Sequence, residues 1–140
     1  MICIVADASV AIKWLLPQGR DEGDWEKALG LLQRIRTEQV ELRQPPHWLA
    51  EVAAVITRLS PATALEDISD LYAMDIPLVQ SAEVYATACS LSKDLDHHLF
   101  DTLYHAVALS LDGAVLVTAD ERYYKKASDR GKLKLLRDYS

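Results

Sequence analysis

Apolar positions along the chain follow two rhythms. Short runs rich in β-branched residues and leucine stand at Ile2 to Ala6, Val40 to Arg43, Ile76 to Val79, Ala114 to Thr118 and Leu133 to Leu136. Their length and composition predict five strands. Between them apolar residues recur every three or four positions, which predicts helices. The first holds Val10, Ala11, Trp14 and Leu15 and stops before Pro17. Trp25 to Arg36 carries Ala28, Leu29, Leu32 and Ile35, and a helix from His47 carries Trp48, Val52, Val55, Ile56 and Leu59. A fourth, after Pro61, holds Leu65, Ile68, Leu71 and Tyr72, and a fifth spans Ala82 to Leu91. Asp101 to Asp112 presents Leu103, Ala106, Val107, Leu109 and Leu111, and a seventh helix follows Asp120. Gln18 to Gly23 reads as a polar loop, and Pro45-Pro46 and Asp112-Gly113 as turns.

Strands alternating with helices through short loops predict a parallel sheet covered on both faces. The expected fold is α/β, a three-layer α/β/α sandwich around a central, mainly parallel five-stranded sheet, with residues 1–140 as one domain. Right-handed crossovers bring the Ile2 and Ala114 strands to the middle, where the strand order reverses, and ligands bind at the carboxyl edge of such a switch point.

Half of the residues are apolar, yet no run approaches the roughly 20 residues of a membrane span. The amino-terminal MICIVADASV lacks a preceding basic region and a cleavage site, so it reads as a strand of the mature fold. Cys3 and Cys89 read as two inert core thiols in a reducing cytoplasm, with no zinc-type spacing. The net charge of −6 is unevenly spread. Arg122 to Arg137 holds seven basic residues and one acid, a balance of +6, which leaves −12 on the remainder. A basic rim beside an acidic pocket suits an enzyme that uses a metal on a polyphosphate. A solvated last helix and tail is the plainer account.

The acids carry the candidate chemistry. A helix from Asp101 climbs roughly 18 Å and the following strand returns roughly 20 Å, so Asp101 and Asp120 stand at one level of the sheet edge. Asp7, after the first strand, flanks the same switch point, and Glu51 leans in one turn into its helix. Taken singly, Asp101 and Asp120 read as helix caps and Glu51 as an ordinary exposed glutamate, whereas Asp7 stands too early to be the best cap and its side chain is free. Together they cannot all be ionised and unpaired at low cost, since two charges 4 Å apart repel by about 4 kcal/mol at an effective dielectric of 20. Only Lys13 and Arg122 lie at the margins, so a divalent ion is the economical partner, and all-oxygen ligation suits Mg²⁺ or Mn²⁺. Ser9, a natural helix N-cap, and Thr118 are short hydroxyls placed to orient waters or carboxylates. His97, Asp101 and His105 fall at i, i+4 and i+8, an alternative set for a softer metal, although His97 reads as preceding the helix and His105 as packing. Tyr123 and Tyr124 offer stacking surfaces, with at least one of them in the core. Trp14, Trp25 and Trp48 read as packing residues.

The segments VADASV (Val5 to Val10), PPHWLAEVAAV (Pro45 to Val55), FDTLYHAVAL (Phe100 to Leu109) and VLVTADERYYKKA (Val115 to Ala127) resemble the ordered blocks of the PIN-domain nucleases, and among them the VapC toxins of bacterial type II toxin–antitoxin pairs. The resemblance spans nearly the whole chain. It implies a PIN-like fold and a Mg²⁺- or Mn²⁺-dependent endoribonuclease whose acidic quartet is Asp7, Glu51, Asp101 and Asp120, with Ser9 or Thr118 near the metal. It also implies an RNA substrate, a small VapB-like antitoxin that blocks the cleft, a homodimer and a cytoplasmic setting. Lys13, Arg122, Lys125 and Lys126 are then the candidates for contact with RNA. Ala54 departs from the pattern, since many members place an asparagine three residues after the glutamate. An acid-lined cleft would be plugged well by an arginine-bearing peptide.

Two other chemistries share the architecture and fit less well. A phosphoacceptor receiver needs adjacent acids after the first strand, and a haloacid-dehalogenase-like phosphatase needs Asp-x-Asp-x-Thr where this chain has Asp7-Ala8-Ser9. A catalytically silent PIN-like module that binds RNA or protein is the alternative from another class.

Overall fold

The computed structural model describes residues 2–16 and 22–139. Four strands, β1 (Ile2–Ala6), β2 (Val40–Leu42), β3 (Ala114–Thr118) and β4 (Leu133–Leu135), form one parallel sheet in the order β2-β1-β3-β4. Ile4, Val5 and Ala6 are all fully buried. Successive strand residues point to opposite faces, so the sheet is covered on both sides. The α/β fold with a helix-flanked parallel sheet is as the alternation of patterns predicts.

The expected fifth strand is not built. Leu78 makes a single parallel bridge to Gln44, where Gln44 N donates to Pro77 O and Val79 N donates to Gln44 O. Pro77 has no N–H to offer, and the ladder goes no further.

Among the described residues seven helices surround the sheet: α1 (Ala8–Ala11), α2 (Glu22–Arg36), α3 (Trp48–Leu59), α4 (Ala64–Ala73), α5 (Ala82–Leu95), α6 (Leu99–Ser110) and α7 (Glu121–Ala127). The loop expected over Gln18 to Gly23 lies largely outside the described residues, and its last two belong to α2. Apolar spacing selects the buried stripes, as with Trp48, Val52 and Ile56 of α3 at i, i+4 and i+8. In α4 the buried stripe is Ala64 and Leu71, with Ile68 partly buried between them. Leu65 and Tyr72, expected on that stripe, stand one position further round and are exposed. Likewise Cys89 of α5 is exposed rather than core, because Val84, Ala88 and Leu91 take the buried face.

Helix α6 is the centre of the molecule. Every residue from Thr102 to Ala108 is buried, and the helix packs against α5, β1 and β3. It begins two residues before the predicted start, so Asp101 lies within its first turn. Gly113, at φ +74, makes the tight turn into β3 in a backbone region that favours glycine. Among the described residues no helix is long and apolar enough to cross a membrane.

Candidate active site

β1 and β3 run side by side with Ala6 opposite Val117, so the next residues, Asp7 and Thr118, meet at the carboxyl edge. Asp7 occupies the N-cap position of α1 in extended conformation, yet its side chain makes no capping bond. It is held instead by two hydroxyls. Ser9 Oγ donates to Asp7 Oδ1 and Thr118 Oγ1 donates to Asp7 Oδ2, both at 2.5 Å. Each hydroxyl in turn receives a backbone N–H, Ser9 from Ala119 at 2.9 Å and Thr118 from Asp120 at 3.0 Å. Each amide takes one lone pair of its hydroxyl, and the O–H proton of each is given to the carboxylate. Ser9 is therefore not the N-cap of α1 but a residue inside it, turned onto Asp7.

One residue earlier, Ala6 is clamped by a buried side chain. Gln44 Nε2 donates to Ala6 O at 2.7 Å, and Ala6 N donates to Gln44 Oε1 at 2.9 Å. The amide group thus continues the ladder beyond β2 and fixes the backbone that presents Asp7. The only sequence signal was a polar residue between a strand and Pro45-Pro46.

Burial pushes Asp7 up to about 7; the Ser9 and Thr118 bonds oppose this, and the charges of Asp101 and Asp120 add to it. Glu51, in the first turn of α3, is also raised by burial. Tyr104 hydroxyl donates to Glu51 Oε1 at 2.7 Å, which with His47 opposes the rise, while Asp101 adds to it. Tyr104 lies three residues after Asp101, on the same side of α6. The charge of Asp101 thus acts on both Asp7 and Glu51, and that of Asp120 on Asp7.

Asp120 does cap a helix, as its plain reading has it: Tyr123 N donates to its Oδ1 at 3.1 Å, at the start of α7. Asp101 does not cap; its Oδ2 lies 2.7 Å from His97 Nε2. His97, Asp101 and Asp120 each place one potential ligand atom within 4.8 Å of the others. They line a cleft of about 570 Å³ that Arg122 and Lys126 also line. Neither Asp7 nor Glu51 is among the residues that line it.

His105 has no place in this cleft. Its Nδ1 lies 2.9 Å from Tyr123 hydroxyl and its Nε2 2.8 Å from Gly131 O. A carbonyl only accepts, so Nε2 carries the proton and Tyr123 donates to Nδ1. The i, i+4, i+8 alternative for a softer metal therefore fails at its third member. Tyr123 is buried, and Tyr124 is partly so. Of the basic candidates Arg122 and Lys126 line the cleft, whereas Lys13, in the 3-10 turn after α1, and the exposed Lys125 do not.

The oxygen-rich donor set fits a hard divalent cation. Asp7, Asp101 and Asp120 repel one another without one, and a cation among them would reverse that repulsion.

Comparison with protein families matches residues 4–129 to the PIN domain. Comparison with curated proteins gives no match. Among solved structures, the crystal structure of VapBC2 from Rickettsia felis bound to a DNA fragment from their promoter is similar at a TM-score of 0.65. The alignment covers 96% of this chain and 98% of that one at 14% identity, a likeness of fold.

Proposed function

Because the chain belongs to the PIN-domain family, we propose that it is a metal-dependent endoribonuclease acting as the toxin of a VapBC-type pair. The observation that carries this reading is the hydroxyl-braced Asp7, charge-coupled to Asp101 and Asp120.

In this reading Asp7, Asp101 and Asp120, with Glu51 beside them, hold Mg²⁺ or Mn²⁺. The ion, when bound, neutralises charge developing on the phosphate and eases ionisation of the attacking water. The protein's own work is orientation. Ser9 and Thr118 fix both oxygens of Asp7, Tyr104 holds Glu51, and the α7 N-terminus holds Asp120. Arg122 and Lys126, which line the same cleft, supply positive charge for the RNA backbone, with Lys13 and Lys125 as more distant contributors.

The solved VapBC2 is a complex, which supports expecting a small VapB-like antitoxin as partner here as well. The chemistry of the cleft favours an inhibitor that inserts an arginine among the carboxylates. A homodimer and a cytoplasmic setting complete the proposal.

The test is incubation of the purified protein with RNA in Mg²⁺ or Mn²⁺, with and without chelator. Cleavage that needs the metal and disappears in Asp7→Asn and Asp101→Asn is expected. Cleavage that persists in both variants, or none in any metal, would overturn the nuclease reading.

A further inference from the structure

We propose that His97 is a positioning residue for Asp101, and that Lys126 sets the form of its ring. The proposal rests on reading Asp101 as a metal-holding carboxylate, but the four acids alone account for neither His97 nor Lys126.

His97 lies in the short connection between α5 and α6, and its backbone is pinned on both sides by one residue. Its N donates to Ser92 O at 3.1 Å, and Ser92 Oγ donates to its carbonyl at 2.5 Å. The ring packs edge-on against Tyr123, with centroids 4.9 Å apart. Only 8% of the side chain is exposed. Such a ring has little freedom to turn away from Asp101.

Lys126 decides which nitrogen carries the proton. Its Nζ donates to Asp96 O at 3.0 Å, a carbonyl presented by the left-handed residue that ends α5. The same Nζ lies 3.3 Å from His97 Nδ1. An ammonium has three donors and no acceptor, so Nδ1 must offer its lone pair. The ring proton is then on Nε2, 2.7 Å from Asp101 Oδ2, and His97 donates to the carboxylate.

This arrangement separates two roles that proximity alone leaves open. A ring nitrogen of His97 stands close enough to Asp101 and Asp120 to share a cation with them, and Nε2 is the one that faces Asp101. Ligation would need the lone pair on Nε2 and a proton on Nδ1, which would then point at the ammonium. Two donors facing each other make that form unfavourable. The order Lys126, His97, Asp101 is instead a chain of donors that ends on one carboxylate oxygen and restrains its rotation. Among the described residues Asp101 is the acid of this group without a hydroxyl or backbone N–H partner, so His97 does for it what Ser9 and Thr118 do for Asp7 and Tyr104 does for Glu51.

Three variants of the full chain test this. His97→Phe keeps a ring against Tyr123 and removes the donor; His97→Gln keeps an amide donor at similar reach; Lys126→Met removes the ammonium. The ring proton is read by nitrogen NMR of the metal-free protein, Mn²⁺ affinity by electron paramagnetic resonance titration, and cleavage as kcat and KM separately. Expected are Nε2–H in the parent and a larger share of Nδ1–H in Lys126→Met. His97→Phe should bind Mn²⁺ and turn over roughly 10- to 100-fold less well, the range typical of lost partners of metal ligands, with KM for RNA little changed. His97→Gln should recover most of both. A parent ring protonated on Nδ1, a His97→Phe protein with parental Mn²⁺ affinity, or a His97→Gln protein as impaired as His97→Phe would each overturn the proposal. A parent that binds Mn²⁺ yet leaves RNA intact would retire the nuclease reading alone, with His97 still judged by its ring proton and by Mn²⁺ affinity.

Discussion

Thr118 Oγ1 donates to Asp7 Oδ2 at 2.5 Å across 111 positions of sequence, while the amide of Asp120 donates to the same hydroxyl at 3.0 Å. One buried hydroxyl therefore ties the end of β1 to the start of α7. Thr118→Val keeps the shape and removes both bonds, leaving a buried carboxylate oxygen and an amide short of a partner. Unfolding in denaturant should show a loss of about 1–3 kcal/mol, and metal-dependent cleavage should fall by roughly 10-fold or more. Parental stability and rate together would mean that the hydroxyl holds nothing.

Asp7 makes stability depend on pH and, in the proposed reading, on metal. Its folded-state value is raised to about 7, against about 3.9 for an unfolded aspartate. The folded state therefore binds this proton more tightly. The cost of ionising Asp7 is absent below about pH 4, grows between about pH 4 and 7, and is constant above. In chelator, Asp7→Asn should be more stable than the parent at pH 7.5 by an amount on the order of a few kcal/mol, with the gap closing towards pH 4. Mg²⁺ or Mn²⁺ should raise the melting temperature of the parent, more at pH 7.5 than at pH 5, because ion and proton compete for one carboxylate. A pH-independent gap between the two proteins would contradict the burial of that charge.

Tyr104→Phe removes the donor to Glu51 Oε1. Glu51 is already raised by burial, and the Tyr104 bond opposes that rise, so losing it pushes Glu51 further up. The acidic limb of the pH–rate profile should move to higher pH, with a rate loss of about 10-fold at neutral pH. An unmoved limb would separate Glu51 from the chemistry.

His105 should matter for stability and not for the metal. Its folded form is lowered below the usual histidine value, chiefly by burial. Its contribution is thus full above about pH 6.5 and lost as pH falls below that. His105→Leu leaves the Tyr123 hydroxyl and the Gly131 carbonyl without partners, which should cost about 2–4 kcal/mol in equilibrium unfolding at pH 7.5. Mn²⁺ affinity of the folded variant should equal that of the parent; a loss of affinity would revive the histidine-ligand alternative.

The local periodicities were sufficient for the strands β1 to β4, the seven helices and the central placing of β1 and β3. They also put Asp7, Asp101 and Asp120 at one edge, because helix rise and strand rise are set by backbone hydrogen bonding whatever surrounds them. Hydrophobic spacing was a weaker guide where a helix carried more apolar residues than its buried stripe could use, as at Leu65, Tyr72 and Cys89. Partners alone chose the stripe there. A strand at Ile76 to Val79 failed for a similar reason, since a ladder needs a neighbour with donors in register and Pro77 has none to give. The bracing of the site was least legible. Gln44 on Ala6, Thr118 on Asp7, Tyr104 on Glu51 and Lys126 on His97 join residues 29 to 111 positions apart. Directional bonds of a few ångströms are decided only when packing brings such distant segments together, whereas the backbone rhythm is written in each segment by itself.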